Sequence, residues 1–453
     1  MSDLTLPRLV IAGTNSGCGK TTVTCAVLTA LVERGLTPTA FKCGPDYIDP
    51  MFHSRVTGIR ARNIDTFLTG RSTALELFKR NAASGDISVI EGVMGYYDGA
   101  AARSDSGSTA DIARLTASPT VLVMNPRGMA LTAAAIVSGM TTLRENTIKA
   151  VILNGVSPKS AAYYRDIIEG ETGIPVLGVM PHIEKAELQS RHLGLVTAAE
   201  VADLNARLHL LAEAASEQID LDSLLELAGS APDLPAPPGR KTAVRNTVKI
   251  AVAADDAFCF RYEDSLDALR DFGAELVEFS PFSDAALPTG CAALYLCGGY
   301  PELYADTLSR NASMRASIAD AIRGGMPTIA ECGGFMYLHE RLEGHEMAGI
   351  IPGEAKMTPT LRRFGYFTMT AIRDNLLCRA GDTINAHEFH YSASENEGSA
   401  FGLTKPSQNI VSARTGHASG TLYAGYPHFS FAGNFAAAQR FVEAAVRYSE
   451  GLQ

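Results

Sequence analysis

The segment Gly13-Thr14-Asn15-Ser16-Gly17-Cys18-Gly19-Lys20-Thr21-Thr22 constrains this chain more than any other. It follows the apolar run Leu9-Val10-Ile11-Ala12 and opens into Val23-Thr24-Cys25-Ala26-Val27-Leu28. A strand, a glycine-rich loop and a helix in that order turn backbone N–H groups inward and aim the positive end of a helix at one point. That arrangement cradles phosphate. Gly17 and Gly19 shape the loop, Lys20 reaches the outer phosphates, and Thr21 and Thr22 begin the helix, Thr21 offering its hydroxyl to Mg²⁺. The expected ligand is a nucleoside triphosphate, taken as ATP with Mg²⁺. Gly13 and Gly19 enclose five residues, one more than the usual loop. A glycine-rich turn in another kind of α/β protein competes with this reading, but Gly-Lys-Thr after an apolar strand weighs against it.

A chain of 453 residues exceeds one ordinary core, so two domains are expected. The formal net charge of −10 argues against nucleic acid or an anionic membrane as partner. Eight cysteines form no C-x-x-C pair and read as reduced intracellular thiols. The N-terminus has no basic stretch followed by an apolar one. The best apolar stretch, 121–140, is broken by Asn125-Pro126-Arg127-Gly128 and is too short on either side to span a bilayer. A soluble, cytoplasmic protein is expected; a homodimer is compatible with everything read so far.

The first half alternates apolar runs with helical patterns. Strands are expected at 9–12, 39–42, 87–91, 120–124, 150–154 and 176–180. Continuous apolar strands with helical crossovers imply a parallel sheet covered on both faces, with ligands beyond the carboxyl ends of the strands. A Pro-rich stretch then begins at Ala231 and reads as an extended linker over 231–245. A second α/β alternation follows, with strands expected at 248–253, 276–279, 293–297 and 328–330. The expected domains are therefore 1–230 and 246–453.

Three acids and a lysine fall on the rim of the first sheet. Phe41-Lys42-Cys43-Gly44-Pro45-Asp46-Tyr47-Ile48-Asp49-Pro50 follows the second expected strand. Glu91 closes the third, ahead of Gly92-Val93-Met94-Gly95-Tyr96-Tyr97-Asp98-Gly99. Triphosphate chemistry needs Mg²⁺ held by a few hard oxygens. Thr21, Asp46 and Glu91 are the candidate ligands. Asp49 beside Pro50 reads equally well as a helix cap. Lys42 is a candidate for a phosphate or a substrate carboxylate, with a surface lysine as the alternative.

In the second half, Pro327-Thr328-Ile329-Ala330-Glu331-Cys332-Gly333-Gly334-Phe335 has the form strand, cysteine, glycine pair, helix. Small residues after Cys332 allow a tight turn that exposes the sulfur at a helix N-terminus, where thiol pKa falls and the thiolate is a nucleophile; a buried structural cysteine is the alternative, against which the turn weighs. Leu296-Cys297-Gly298-Gly299-Tyr300-Pro301-Glu302 is a second strand-to-glycine turn. Backbone N–H groups of Gly298 and Gly299 could form an oxyanion hole. His428, in Tyr426-Pro427-His428-Phe429, is the candidate general base.

Together these residues resemble the cobyrinate a,c-diamide synthase family, glutamine-dependent amidotransferases of tetrapyrrole synthesis. The resemblance runs over nearly the whole chain. It is carried by the segments already quoted and by Arg191-His192-Leu193-Gly194-Leu195 and His387-Glu388-Phe389-His390-Tyr391-Ser392. The five-residue spacing of the phosphate loop also resembles dethiobiotin synthetase. The resemblance implies an N-terminal P-loop NTPase-like (dethiobiotin synthetase-like) synthetase domain and a C-terminal class I glutamine amidotransferase α/β domain. It makes Cys332 the glutaminase nucleophile and His428 its activator. It assigns Glu91, Asp46 and Asp98 to Mg·ATP and an acyl-phosphate step, and sets Tyr47 and Tyr96 near substrate or nucleotide.

Three departures stand out. The family's usual three-glycine turn reads Cys297-Gly298-Gly299. Ser430 stands where a second histidine is usual, and also where many class I glutaminases carry a glutamate, so no third triad member is assigned. The segment 387–390 lacks H-E-x-x-H spacing and is read as lining the site rather than binding zinc.

The implied reaction is amidation of the a and c acetates of a tetrapyrrole acid, with glutamine as nitrogen donor and ATP forming an acyl phosphate. Nickel-sirohydrochlorin and hydrogenobyrinate remain alternative substrates. A nucleotide-switched ATPase of the partition-protein type, with an inactive second module, is the alternative of another class. A thiol on the Cys332 turn argues against it.

Overall fold

The computed structural model describes residues 3–101, 103–186, 204–236, 247–406, 408 and 410–451. The chain divides into two compact units, Met1–Thr66 with Gly70–Gly239, and Phe67–Thr69 with Arg240–Gln453.

Unit 1 is built on seven strands: β1 (Arg8–Gly13), β2 (Pro38–Cys43), β3 (Arg62–Ile64), β4 (Ile87–Glu91), β5 (Thr120–Met124), β6 (Ile148–Asn154) and β7 (Val176–Met180). They lie in the order β3-β2-β4-β1-β5-β6-β7, every neighbouring pair parallel. β1, β2, β4 and β5 are buried at every position. That is why they read as unbroken apolar runs, and why one cluster fills each face of the sheet. β3 was not expected. Three residues at a sheet edge leave too short a pattern to detect.

All seven strands point their carboxyl ends the same way. The rim therefore gathers the loop from Gly13 into helix α1 (Lys20–Glu33), the turn from Cys43 into helix α2 (Ile48–Thr57), and the segment after Glu91. The stretch read as an extended linker makes contacts where it is described. Leu234 pairs with Leu4, the Arg8 guanidinium donates to Pro232 O at 2.6 Å, and Lys79 Nζ donates to Pro235 O at 2.7 Å. Residues 231–236 are thus tied to unit 1; the rest of the expected linker, with Lys241, lies outside the described residues. So does Arg191-His192-Leu193-Gly194-Leu195.

Unit 2 opens as expected, with β8 (Val248–Ala253), β9 (Ala274–Phe279), β10 (Ala293–Leu296) and β11 (Thr328–Glu331). A six-stranded sheet orders β9, β8, β10, β11 and the strand Leu422–Gly425 in parallel, with His417–Ala418 antiparallel at the edge. A second, antiparallel sheet of five strands was not expected. It includes Arg363–Ala371, Thr383–His390 and His428–Phe429. In Arg363–Ala371 only Phe367, Met369 and Ala371 are buried, an every-second-residue pattern of a half-covered strand. Among the described residues no helix is long and apolar enough to cross a membrane.

Candidate active sites

In unit 1 the phosphate loop takes the form its glycines allow. Gly17 and Gly19 have φ of 77° and 97°, a region open to glycine and costly for other residues. A Cβ on Gly19 would stand 1.9 Å from Asn154 Nδ2, which donates to Cys18 O at 2.9 Å and so ties the loop to the end of β6. A Cβ on Gly17 would meet nothing within 4 Å, so the space over the loop is open. Lys20 Nζ donates to Asn15 O at 3.1 Å, and burial lowers its pKa. No acid sits in the first turn of α1 to compete for an anion. Thr22, partly buried, is the third residue of that turn. The cradle therefore fits a nucleotide phosphate.

Behind the loop lies a buried charge cluster. Thr21 Oγ1 donates to Glu91 Oε1 at 2.7 Å. Lys42 Nζ lies 2.8 Å from the same oxygen, 2.5 Å from Asp49 Oδ2, and donates to Gly92 O. His53, fully buried, meets Glu91 Oε2 at 2.7 Å. Register explains the meeting, since Lys42 and Glu91 are direct partners across β2 and β4. Burial by itself would lower the Lys42 pKa and raise that of Glu91. The opposite charges outweigh it, holding the ammonium above and the carboxyl well below their ordinary values. Lys42 is thus a buried partner of two carboxylates, not a surface lysine. Sequence reasoning missed His53, and the signal available was its place in α2, four residues after Asp49.

The remaining rim residues separate. Asp46 Oδ1 accepts from the N–H groups of Ile48 and Asp49 at 2.8 and 3.2 Å, so this oxygen caps α2. Tyr47 is partly buried beside it. Asp98 is exposed, and its Oδ2 accepts from Gly95 N at 2.8 Å. Tyr96 donates its backbone N–H to Gly13 O, but its ring is completely buried and its hydroxyl accepts from Thr147 N. The sequence reading set this ring near a ligand; it packs in the core. Among the described residues no three His, Cys, Asp or Glu side chains form a metal-holding group. Of the three proposed ligands, Thr21 and Glu91 stand together, and Asp46 stands at the helix cap. The Thr21–Glu91 oxygen pair fits a hard cation whose other ligands are phosphates and water.

In unit 2, Cys332 follows β11 with φ 46° and ψ −101°, a strained conformation for a side chain with a Cβ. Glycines make the turn fit. A Cβ on Gly334 would stand 2.2 Å from Leu296 O, and one on Gly333 2.9 Å from Gly299 N. The turn after β10 is thereby pressed against the cysteine turn. A Cβ on Gly298 would stand 2.4 Å from His428 Cε1 and 3.3 Å from His428 Nε2. The imidazole edge carrying Nε2 therefore faces the glycine turn. Cys332, Gly298, Gly299 and His428 come together from three separate segments.

One expectation for the thiol is reversed. Cys332 is only 7% exposed, and the helix after it, Gly333–Tyr337, is a single short turn. Burial, with Glu302 and Glu388 adding negative charge, pushes the thiol pKa up rather than down. His428 is buried too, and burial together with His390 lowers its pKa to about 3, leaving a neutral imidazole. Its Nδ1 lies 3.4 Å from Glu331 Oε2. Burial pushes the Glu331 carboxyl up to about 8. The segment 387–390 is the strand beside His428: His387 is its register partner, Glu388 is buried against Arg363 at 3.3 Å, and His390 stacks on Tyr426 at 3.9 Å.

A phosphate-loop domain and a cysteine–histidine glutaminase domain in one chain define a glutamine-dependent amidating ligase. Family models agree with this division: residues 9–196 match the CobQ/CobB/MinD/ParA nucleotide binding domain, and residues 249–435 the CobB/CobQ-like glutamine amidotransferase domain. The chain is 40% identical over 435 residues to cobyrinate a,c-diamide synthase of Listeria monocytogenes, covering 94% of this chain and 96% of that protein. It is 40% identical to the Priestia megaterium protein of that name, over 96% of each chain. For that of Methanothermobacter thermautotrophicus the identity is 39%, over 94% of this chain and 98% of the other. The chain belongs to the cobyrinate a,c-diamide synthase family.

Proposed function

We propose that this protein amidates the a- and c-acetate carboxylates of cobyrinate, using ammonia from glutamine and ATP to activate each acid as an acyl phosphate. The observation that carries the reading is Cys332 on its strained turn, with the Nε2 edge of His428 against Gly298. The names of the relatives supply the substrate.

In unit 2 the Cys332 thiol gives its proton to His428 Nε2 as sulfur attacks the side-chain amide of glutamine. The resting thiol is protonated, so this transfer belongs to the attack itself. N–H groups of Gly298 and Gly299 receive the developing oxyanion. The protonated imidazole returns its proton to the leaving nitrogen, releasing ammonia, and water then cleaves the thioester to glutamate.

In unit 1 an acetate oxygen of the substrate attacks the γ-phosphorus of ATP, and ADP leaves. Ammonia adds to the acyl phosphate, phosphate leaves, and the amide remains. Lys20 and the loop N–H groups neutralise and orient the transferring group, work that is mostly positioning and charge. Thr21 and Glu91 would hold Mg²⁺, which would supply further charge neutralisation. Lys42 and His53 keep Glu91 ionised and fixed. Asp46, Tyr47 and Asp98 are assigned to the substrate acid on the family resemblance.

The test is product mass after incubation with ATP, glutamine and, in turn, cobyrinate, nickel-sirohydrochlorin and hydrogenobyrinate. Two carboxyl-to-amide changes on cobyrinate are expected. Turnover confined to another macrocycle overturns the substrate assignment. ATP hydrolysis indifferent to glutamine and to all three overturns the reaction. Cys332→Ser is expected to lose glutamine-driven amidation and keep ammonium-driven amidation.

A further inference from the structure

Glu331 immediately precedes the nucleophile, at the end of β11, and is 1% exposed. Its Oε2 sits among donors. Tyr295 donates its hydroxyl at 3.3 Å, the Phe429 backbone N–H points to the same carboxyl, and His428 Nδ1 lies 3.4 Å away. Among the described residues its other oxygen, Oε1, has no hydrogen-bond partner. A proton on this carboxyl therefore resides on Oε1 and leaves Oε2 an acceptor. In either charge state Oε2 favours the tautomer of His428 that carries hydrogen on Nδ1, which puts the ring's lone pair on Nε2, the atom that takes the thiol proton.

We propose that Glu331 is the positioning residue of the glutaminase, orienting His428 through Oε2 in the role that a glutamate two residues after the histidine fills in many class I glutaminases. Glu388 acts on His428 through its charge alone, its oxygens being engaged by Arg363 at 3.3 Å and His390 at 3.5 Å. Ser430, two residues after His428, accepts from Ser265 at 3.3 Å instead. Adjacency to Cys332 has a mechanical consequence. The strained turn that presents the sulfur also places the group that orients its base, so both are set by one backbone segment. When the thiol proton reaches Nε2, the Nδ1–H···Oε2 contact becomes charge-assisted and strengthens as sulfur attacks.

The inference rests on Cys332 and His428 acting as the glutaminase pair, so wild type and Cys332→Ala are assayed first for glutamate release. If Cys332→Ala still hydrolyses glutamine, that reading fails, and this one with it. With the pair established, Glu331→Gln and Glu331→Leu are compared. The expected order of kcat for glutamine is wild type, then Gln, about 10-fold or more lower, then Leu, on the order of 10²-fold or more below wild type. KM for glutamine should stay within about threefold and ammonium-driven amidation within about twofold. A Gln amide oxygen can still accept at the Oε2 position, hence its partial rescue. Either variant within about twofold of wild type in glutamine kcat overturns the proposal. So does a matched fall in both nitrogen routes, which marks a merely structural glutamate. If the Leu variant fails to fold, the Gln variant decides by the same limits. His428→Ala provides the last check: adding Glu331→Gln to it should lower glutaminase activity no further.

Discussion

At the scale of single residues, two side chains in unit 2 make opposite demands on protons. Glu331 rises from its ordinary 4.5 to about 8. Between those values the folded chain keeps a proton that the unfolded chain has lost, so this group's contribution to stability is present below 4.5 and is lost as pH rises through about 8. Glu302, pushed by burial up to about 7, acts in the same direction. His428 falls from 6.5 to about 3, and its contribution is lost as pH drops through that interval. Thermal unfolding of Glu331→Gln against wild type isolates the contribution of Glu331. The Tm of the variant relative to wild type should climb between pH 4.5 and 8; a difference flat with pH contradicts the buried carboxyl. A second residue-scale prediction concerns Gly298. The Cβ of Gly298→Ala would stand 2.4 Å from His428 Cε1, so the imidazole must move. Glutamine-driven amidation should fall by roughly 10²-fold with the ammonium-driven rate kept, measured by steady-state kinetics with each nitrogen source.

Secondary-structure elements show where patterns in the chain translate into geometry. β1, β2 and β4 are buried on both faces, so their apolar runs carry no alternation, and their shared direction delivers Lys20, Lys42 and Glu91 to one rim. That much was legible. What α2 does was not. The sequence reading takes Asp46 as the ligand candidate and leaves Asp49 open to a helix-cap role, yet Asp46 caps the helix and Asp49 faces inward to Lys42. Helix phase decides between them, and phase depends on where the cap falls. The stretch 231–236 teaches a similar lesson, because proline content suggests a spacer while its carbonyls are used by unit 1. Arg8 is completely buried and donates to Thr116 O, Leu6 O and Pro232 O. Arg8→Met keeps the bulk and removes those bonds. Unit 1 should lose about 2 kcal/mol or more of stability in urea unfolding, with unit 2 unchanged.

For the whole molecule the prediction is a difference between two lesions. Lys20→Ala should cost amidation about 10²-fold or more whichever nitrogen source is supplied, since both routes need the activated acid. Cys332→Ser should cost only the glutamine route. Equal loss in both routes for both variants would show that the two centres do not divide the reaction as proposed. The amino-acid sequence by itself determined the two-part plan, the phosphate loop, the nucleophile turn and the family, because each is written in contiguous residues whose spacing has a local physical meaning. Tertiary structure alone decided what lies beside what: Lys42 opposite Glu91, His53 behind it, Tyr96 turned into the core, the antiparallel sheet that brings His428 forward, and Glu331 beneath that histidine. Those relations join residues up to 97 positions apart. They depend on strand register and burial, which exist only once the chain has closed on itself.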